Sequence, residues 1–279
     1  MAVTVTAAPT MASRRPWPRI ITIIVLAAYL TLAIAGIFVQ DQSNVADVTN
    51  TLQQPSAEHL LGTDGEGRDV LTRVAVGAGI SIMLAAISVV LGSVGGLIVA
   101  LACGLGARWL DRVLMAPMNA VLAFPQLLLT MAIAIALGTG LQSAVIGIVV
   151  TIIPVFAVTL RGEALRSRSE AFVEAAITIG LPRWRIALRH VVPYLGTTMT
   201  IQVAANFGNA VITLAALSYI GVGARPPTAE WGAMINDGLQ HAVSGQWWVG
   251  VAPGLALLGL VIAVNILTDQ IRARRSADA

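Results

Sequence analysis

The 279-residue chain is 57% hydrophobic and only 11% charged, whereas a soluble domain is roughly a quarter charged. A soluble fold of this length has too little interior to hide that much apolar surface, so the surplus faces lipid. All 17 cationic residues are Arg and none is Lys, which excludes a P-loop, because its Lys must reach the β/γ-phosphates.

Six charge-free runs are long enough for the ~20 residues a helix needs to cross the hydrocarbon of a bilayer: Ile20–Val39, Val74–Leu105, Val113–Leu137, Leu141–Leu160, Leu195–Val222 and Trp247–Leu267. The first reads as a transmembrane helix, being too long for a signal-peptide core and lacking a small-residue cleavage site after it. The second and fifth exceed one crossing and predict a tilt or an extramembrane turn. Arginine placement orients the chain. With the N-terminus inside, 14 of the 17 arginines lie on the cytoplasmic side, leaving Arg68, Arg73 and Arg225 outside. The expected organisation is a cytoplasmic tail (1–19), a first span (20–39), an extracytoplasmic segment (40–73), a core (74–270) with a cytoplasmic loop at 161–194, and a cytoplasmic C-terminal tail (271–279).

Segment 40–73 carries Asp64-Gly65-Glu66-Gly67. The alternating oxygen ligands and terminal Glu of an EF-hand are missing, so a Gly-rich turn with local pairing of Arg68 and Asp69 is expected rather than a metal site. In span two, Ser88, Gly92, Gly96, Ala100 and Gly104 recur every four residues, a stripe that lets helix backbones approach closely in lipid. Cys103, the single cysteine, allows no intramolecular disulfide and reads as a small buried residue. The histidines His59, His190 and His241 fall in three separate segments without metal-ligand spacing. No cofactor is expected.

The loop between spans four and five contains Phe172-Val173-Glu174-Ala175-Ala176-Ile177-Thr178-Ile179-Gly180-Leu181-Pro182. It reads as a short helix ended by Gly180, with Pro182 preventing continuation. A second short helix over Arg183–His190 has Trp184 and Leu188 on one edge and is expected to lie at the membrane surface, with Pro193 closing it before span five. Along span five, Thr198, Gln202, Asn206, Asn209 and Thr213 fall near one face. Polar groups in a membrane helix face the bundle or a wet cavity, so Gln202, Asn206 and Asn209 are candidate pore-lining residues, with interhelical hydrogen bonding as the other reading.

Glu-Ala-Ala at 174–176, Gly180, and His190 with Pro193 resemble the EAA loop of binding-protein-dependent ABC importer permeases. His59-Leu60-Leu61-Gly62-Thr63-Asp64 with Gly67-Arg68-Asp69-Val70, and Pro226-Pro227-Thr228-Ala229-Glu230-Trp231-Gly232, resemble signatures of the dipeptide, oligopeptide and nickel permeases, in particular their C-type subunit. Leu60 stands where that family has Pro, and Ile177-Thr178-Ile179 where it has Arg-Ala-Leu.

The resemblance implies an all-α polytopic membrane protein with the type I ABC importer permease fold and six transmembrane helices. It implies that Glu174, Ala175, Ala176 and Gly180 couple to an ATPase and that span five lines the pathway. The implied partners are a B-type permease subunit as heterodimer, two cytoplasmic ABC ATPases, an extracytoplasmic solute-binding protein and membrane lipid, with no nucleic acid. The expected role is non-catalytic: half of an import pathway for peptides across the bacterial cytoplasmic membrane, with nickel, haem or another small solute as alternative cargo. A secondary transporter would show repeats, broken helices or intramembrane charges, and an intramembrane hydrolase would need a base or metal-binding carboxylates beside a nucleophile. The charge-free runs supply no Asp, Glu or His for either.

Overall fold

In lipid each backbone group must find its partner within its own segment, and the charge-free runs accordingly form long helices. The computed structural model describes residues 17–278. These contain α1 (Trp17–Phe38), α2 (Val70–Leu105), α3 (Arg108–Leu122), α4 (Gln126–Ala136), α5 (Leu141–Arg166), α6 (Ala171–Thr178), α7 (Arg183–Ile186), α8 (Val192–Tyr219), α9 (Trp231–Ala242) and α10 (Trp248–Asp278), and no strand among the described residues. Of the orienting arginines, Arg14 and Arg15 lie outside the described residues.

Five continuous helices are long and apolar enough to cross a membrane, and the pair α3 and α4, bent by 98°, makes the sixth candidate. The third expected span, Val113–Leu137, is thus not one continuous helix but a bent pair. Pro125 is the reason: it has no N–H and restricts the residue before it. The last turn of α3 tightens instead, with Phe124 donating to the Val121 carbonyl at 3.2 Å. The pair still crosses the bundle. Asp111 near its start meets Arg161 near the end of α5, and its far end leads into Leu141 at the start of α5. The helical rise of ~1.5 Å per residue places those two ends of α5 about 30 Å apart.

The second correction concerns Pro193. The short helix after Gly180 does not lie separately at the surface; helix runs without interruption from Arg183 to Tyr219. Pro193 lies inside this run, at the junction where the π-turn passes into α8. The ladder steps to i→i+5 over Ala187–Val191, with Val192 N–H donating to the Ala187 carbonyl, so a π-turn absorbs the proline.

The core forms where α2 and α5 pack along the small-residue stripe. Ser88, Gly92, Gly96, Ala100 and Gly104 are all buried, and their neighbour is α5 of the same chain. A Cβ placed on Gly96 would stand 2.8 Å from the Ile153 carbonyl oxygen and 2.9 Å from the Ala157 nitrogen; any larger residue pushes the helices apart. Cys103 is buried in the same seam.

The loops sort to two ends. At one end, segment 40–69 and α9 form a cap over α2, α8 and α10, held by Trp248 Nε1 donating to the Thr63 carbonyl (3.2 Å) and Arg73 Nη1 to that of Pro227 (3.3 Å). Arg68 does not pair with Asp69 as expected. Its Nε lies 2.7 Å from Asp64 and its Nη1 2.9 Å from Glu66, while Arg73 Nε meets Asp64 at 3.3 Å. Asp69 instead caps α2 by accepting from Thr72 N–H and lies 3.0 Å from His59. The arginine-rich loops gather at the opposite end.

Candidate coupling surface and polar seam

Helix α6 begins after Glu170, whose backbone is extended, and turns Val173 and Ala176 inward, where both are buried. Glu174 and Ala175 face out, with Phe172, Ile177 and Ile179 beside them; Ile179 is 74% exposed. Gly180 (φ +76°) ends the helix. Its N–H donates to the Ile177 carbonyl, and Leu181 N–H donates to that of Ala176 (2.9 and 3.1 Å), the paired bonds of a Schellman motif. A Cβ on Gly180 would meet nothing within 4 Å, so the glycine serves the backbone conformation and leaves open space around the turn. Of the four expected coupling positions, Glu174, Ala175 and Gly180 are thus presented on the surface, while Ala176 anchors the helix from below.

This surface is tied to the bundle by polar contacts. Arg161 Nε and Nη2 bind the two carboxylate oxygens of Asp111 at 2.5 and 2.6 Å, joining α5 to α3. Arg168 Nη2 donates to the Gly106 carbonyl at the end of α2 (2.7 Å). Thr198 Oγ1 donates to Glu163 Oε1 at 2.6 Å, which links the foot of α8 to α5 just above the loop.

Above that link the α5–α8 seam continues as a polar ladder. Gln202 Nε2 reaches Thr159 Oγ1 at 3.4 Å, and Asn206 Nδ2 donates to the Gln202 carbonyl and side-chain oxygens at 2.9 and 3.2 Å. Asn206 is buried and Gln202 half-buried, whereas Asn209 is exposed. The three candidate pore residues therefore separate: two are engaged in the seam and one stands on the open face of α8 with Ile212 and Ile220. Glu163 belongs to this ladder and was not among the sequence candidates. It lies just past the charge-free run, and its i+4 spacing from Thr159 is the signal that placed both on one face.

Glu230, part of the 226–232 signature, has a structural place that the motif alone does not give. It caps α9, its carboxylate accepting from Ala233 N–H (3.1 Å) and Ser81 Oγ (3.1 Å). It is fully buried, and burial pushes its carboxyl above the ordinary value despite hydrogen bonds that lower it. Next to it, Trp231 Nε1 donates to the Val74 carbonyl at 3.0 Å, pinning α9 to α2.

Spanning helices of alternating direction, one broken span and a short exposed helix between α5 and α8 define a membrane permease of the type I ABC importer fold. The same fold is found in a chain of the MetNI methionine ABC transporter in an inward-facing conformation, with a TM-score of 0.58 and 19% identity over 72% of this chain and 95% of that one. The family model for inner membrane components of binding-protein-dependent transport systems matches residues 92–277, and the chain belongs to that family. Among its relatives are the dipeptide transport system permease protein DppC of Alkalihalophilus pseudofirmus, 34% identical over 91% of this chain and 83% of the relative, and the probable D,D-dipeptide transport system permease protein DdpC of Escherichia coli, 38% identical over 82% and 76%. The glutathione transport system permease protein GsiD of Pectobacterium atrosepticum is 34% identical over 83% of this chain and 77% of its own.

Proposed function

We propose that this chain forms half of the translocation pathway of an ATP-driven peptide importer and takes its energy from separate ATPase subunits through α6. The observation that carries this reading is the exposed surface of Glu174, Ala175, Ile177 and Ile179 beside the Gly180 turn, an apolar patch at the end of a bundle rather than on its lipid-facing girth. Contiguous apolar surface outside the bilayer marks a docking site. The end carrying α6 is cytoplasmic by its arginine excess, and the start of α1 and the end of α10 lie on that side. A second, B-type permease chain completes the pathway, two ABC ATPases dock inside, and a solute-binding protein delivers cargo outside. Peptides are the cargo because the relatives named above are dipeptide and glutathione permeases.

Within the pathway Asn209 faces the moving cargo. Gln202 and Asn206 hold α5 and α8 together, so that a push on α6 carries both helices. The decisive variant is Gly180→Leu. The left-handed backbone at Gly180 makes any L-residue strained by about 1–2 kcal/mol, and the side chain enters the open space around the turn. In proteoliposomes holding the full transporter, ATP hydrolysis is expected to persist while peptide uptake per ATP falls at least ~10-fold, a loss worth ~1.4 kcal/mol of coupling. Uptake per ATP equal to wild type would remove α6 from the energy path.

A further inference from the structure

Three arginines lie at the capped end of the bundle, and their environments differ. Arg68 and Arg73 are buried against Asp64. Arg225 is exposed and has no carboxylate partner among the described residues. Its place is nevertheless built. After α8 the chain turns back at Gly221, and the Val222 carbonyl accepts from Gly140 N–H at 2.9 Å, stitching the α4–α5 turn to the segment that follows α8. Ala224 is buried, its N–H donating to Ser218 Oγ at 3.0 Å. Arg225 then leans across the α4–α5 turn, where Nη2 donates to Thr139 Oγ1 and Nε reaches the Gly221 carbonyl at 3.5 Å. A planar guanidinium has five N–H donors, and these contacts leave its Nη1 edge open.

That edge borders a groove of about 660 Å³ between the two turns, whose polar lining includes Thr139, Gln142, Arg225 and Thr228 and no Asp or Glu. The groove is lined by the segment that follows α8. Along α8 itself Asn209 and Ile212 are exposed, and so is Ile220 just past its end. A guanidinium fork matches a carboxylate through two parallel hydrogen bonds. In an exposed groove such a contact is weak and salt-screened, which suits a cargo that must move on.

We propose that this groove is a carboxylate subsite at the outer mouth, where Arg225 receives the C-terminal carboxylate of an incoming peptide before it passes along the Asn209 face. The proposal rests on the peptide-import reading above for the identity of the cargo, and on Arg225 and its groove for the chemistry.

The test uses the assembled transporter carrying Gln142→Cys as a reporter in the groove. The single native thiol, Cys103, is buried, so a neutral maleimide reads the introduced one. A millimolar dipeptide with a free C-terminus is expected to slow labelling several-fold, sodium acetate less, and the C-terminal amide of the same dipeptide not at all. Adding Arg225→Gln is expected to abolish protection, and Arg225→Lys to retain part of it. No protection with Arg225 present, equal protection by the amide, equal protection by sodium chloride at matched ionic strength, or protection that survives Arg225→Gln would each overturn the subsite. Uptake of the dipeptide is measured alongside. Uptake without protection overturns the subsite alone, whereas Arg225-dependent protection by acetate in a transporter that imports no peptide retains the carboxylate chemistry and overturns the peptide reading.

Discussion

The two ends of the bundle solve the same problem in opposite ways. At the capped end, polar groups are taken out of water and satisfied within the chain: Asp64 is 2% exposed between Arg68 and Arg73, and Glu230 is fully buried against Ser81 and the backbone of α9. At the α6 end, apolar groups are put out where nothing among the described residues covers them, as with Ile177, Ile179, Trp184 and Leu188. One end pairs its buried charges within the chain, and the other leaves apolar side chains open. Substitutions at the first should therefore act on stability, and substitutions at the second on work done with partners.

The largest expected effect tests the completeness of the cap. Asp64→Ala leaves the buried Arg73 without a carboxylate and Arg68 with Glu66 alone, a loss of about 3–5 kcal/mol for breaking a buried pair. Little folded protein should be recovered in detergent, and a normal melting temperature for that variant would show that the cap is not a structural keystone.

Glu230 comes next. Glu230→Ala strands Ala233 N–H and removes the cap of α9, at a cost of about 1–3 kcal/mol. Glu230→Gln keeps the shape and separates charge from packing. Because burial raises the folded-state pKa above the ordinary 4.5, the ionised form weakens the fold at neutral pH. That penalty is relieved as pH falls through the folded-state value and is gone below the unfolded one. The melting temperature of the native chain should thus gain on that of Glu230→Gln as pH is lowered from neutral toward 4.5, and a constant difference would place the raised pKa in doubt.

The Asp111–Arg161 pair lies between the two regimes, half-buried and joining the broken span to the α6 end. Asp111→Asn should cost about 1 kcal/mol, the upper range for a partly exposed pair. Exchanging the charges, Asp111→Arg with Arg161→Asp, should recover part of the loss in melting temperature if the pair itself is what matters. The smallest effect on stability belongs to Glu174→Ala, within about 0.5 kcal/mol as for other surface substitutions. Uptake by the assembled transporter should nevertheless fall, and a variant that melts normally and transports normally would dissolve the contrast between the ends.

What could be read in advance follows the same division. The helical spans and the Ser88–Gly104 stripe were legible because hydrophobic run length and four-residue spacing are local signals, and α5 supplied the neighbour the sequence left open. The Gly180 stop was legible for the same reason. Prolines resist local reading in both directions. Pro193 before span five predicts a stop, but the π-turn ahead of it lets the helix continue, while Pro125 sits inside a charge-free run that predicts no break and yet ends α3. The partner of Arg68 was not readable at all, since Asp64, Glu66 and Asp69 are all near in sequence and only the cap's tertiary path selects among them. Gln202 and Asn209 share a helix face on paper, and only the position of Thr159 on α5 separates their roles.

The corner between α3 and α4 has a consequence for the bilayer itself. Two helix ends meet there, each with backbone groups that the helical ladder leaves over, and Leu122, Phe124 and Leu128 around it are open to the outside. Hydrocarbon can solvate those side chains but offers nothing to a bare carbonyl or N–H. Along this one flank the chain is a poor solute for its own solvent. Lipid is therefore the costliest neighbour this corner could have, and water or another polypeptide the cheapest.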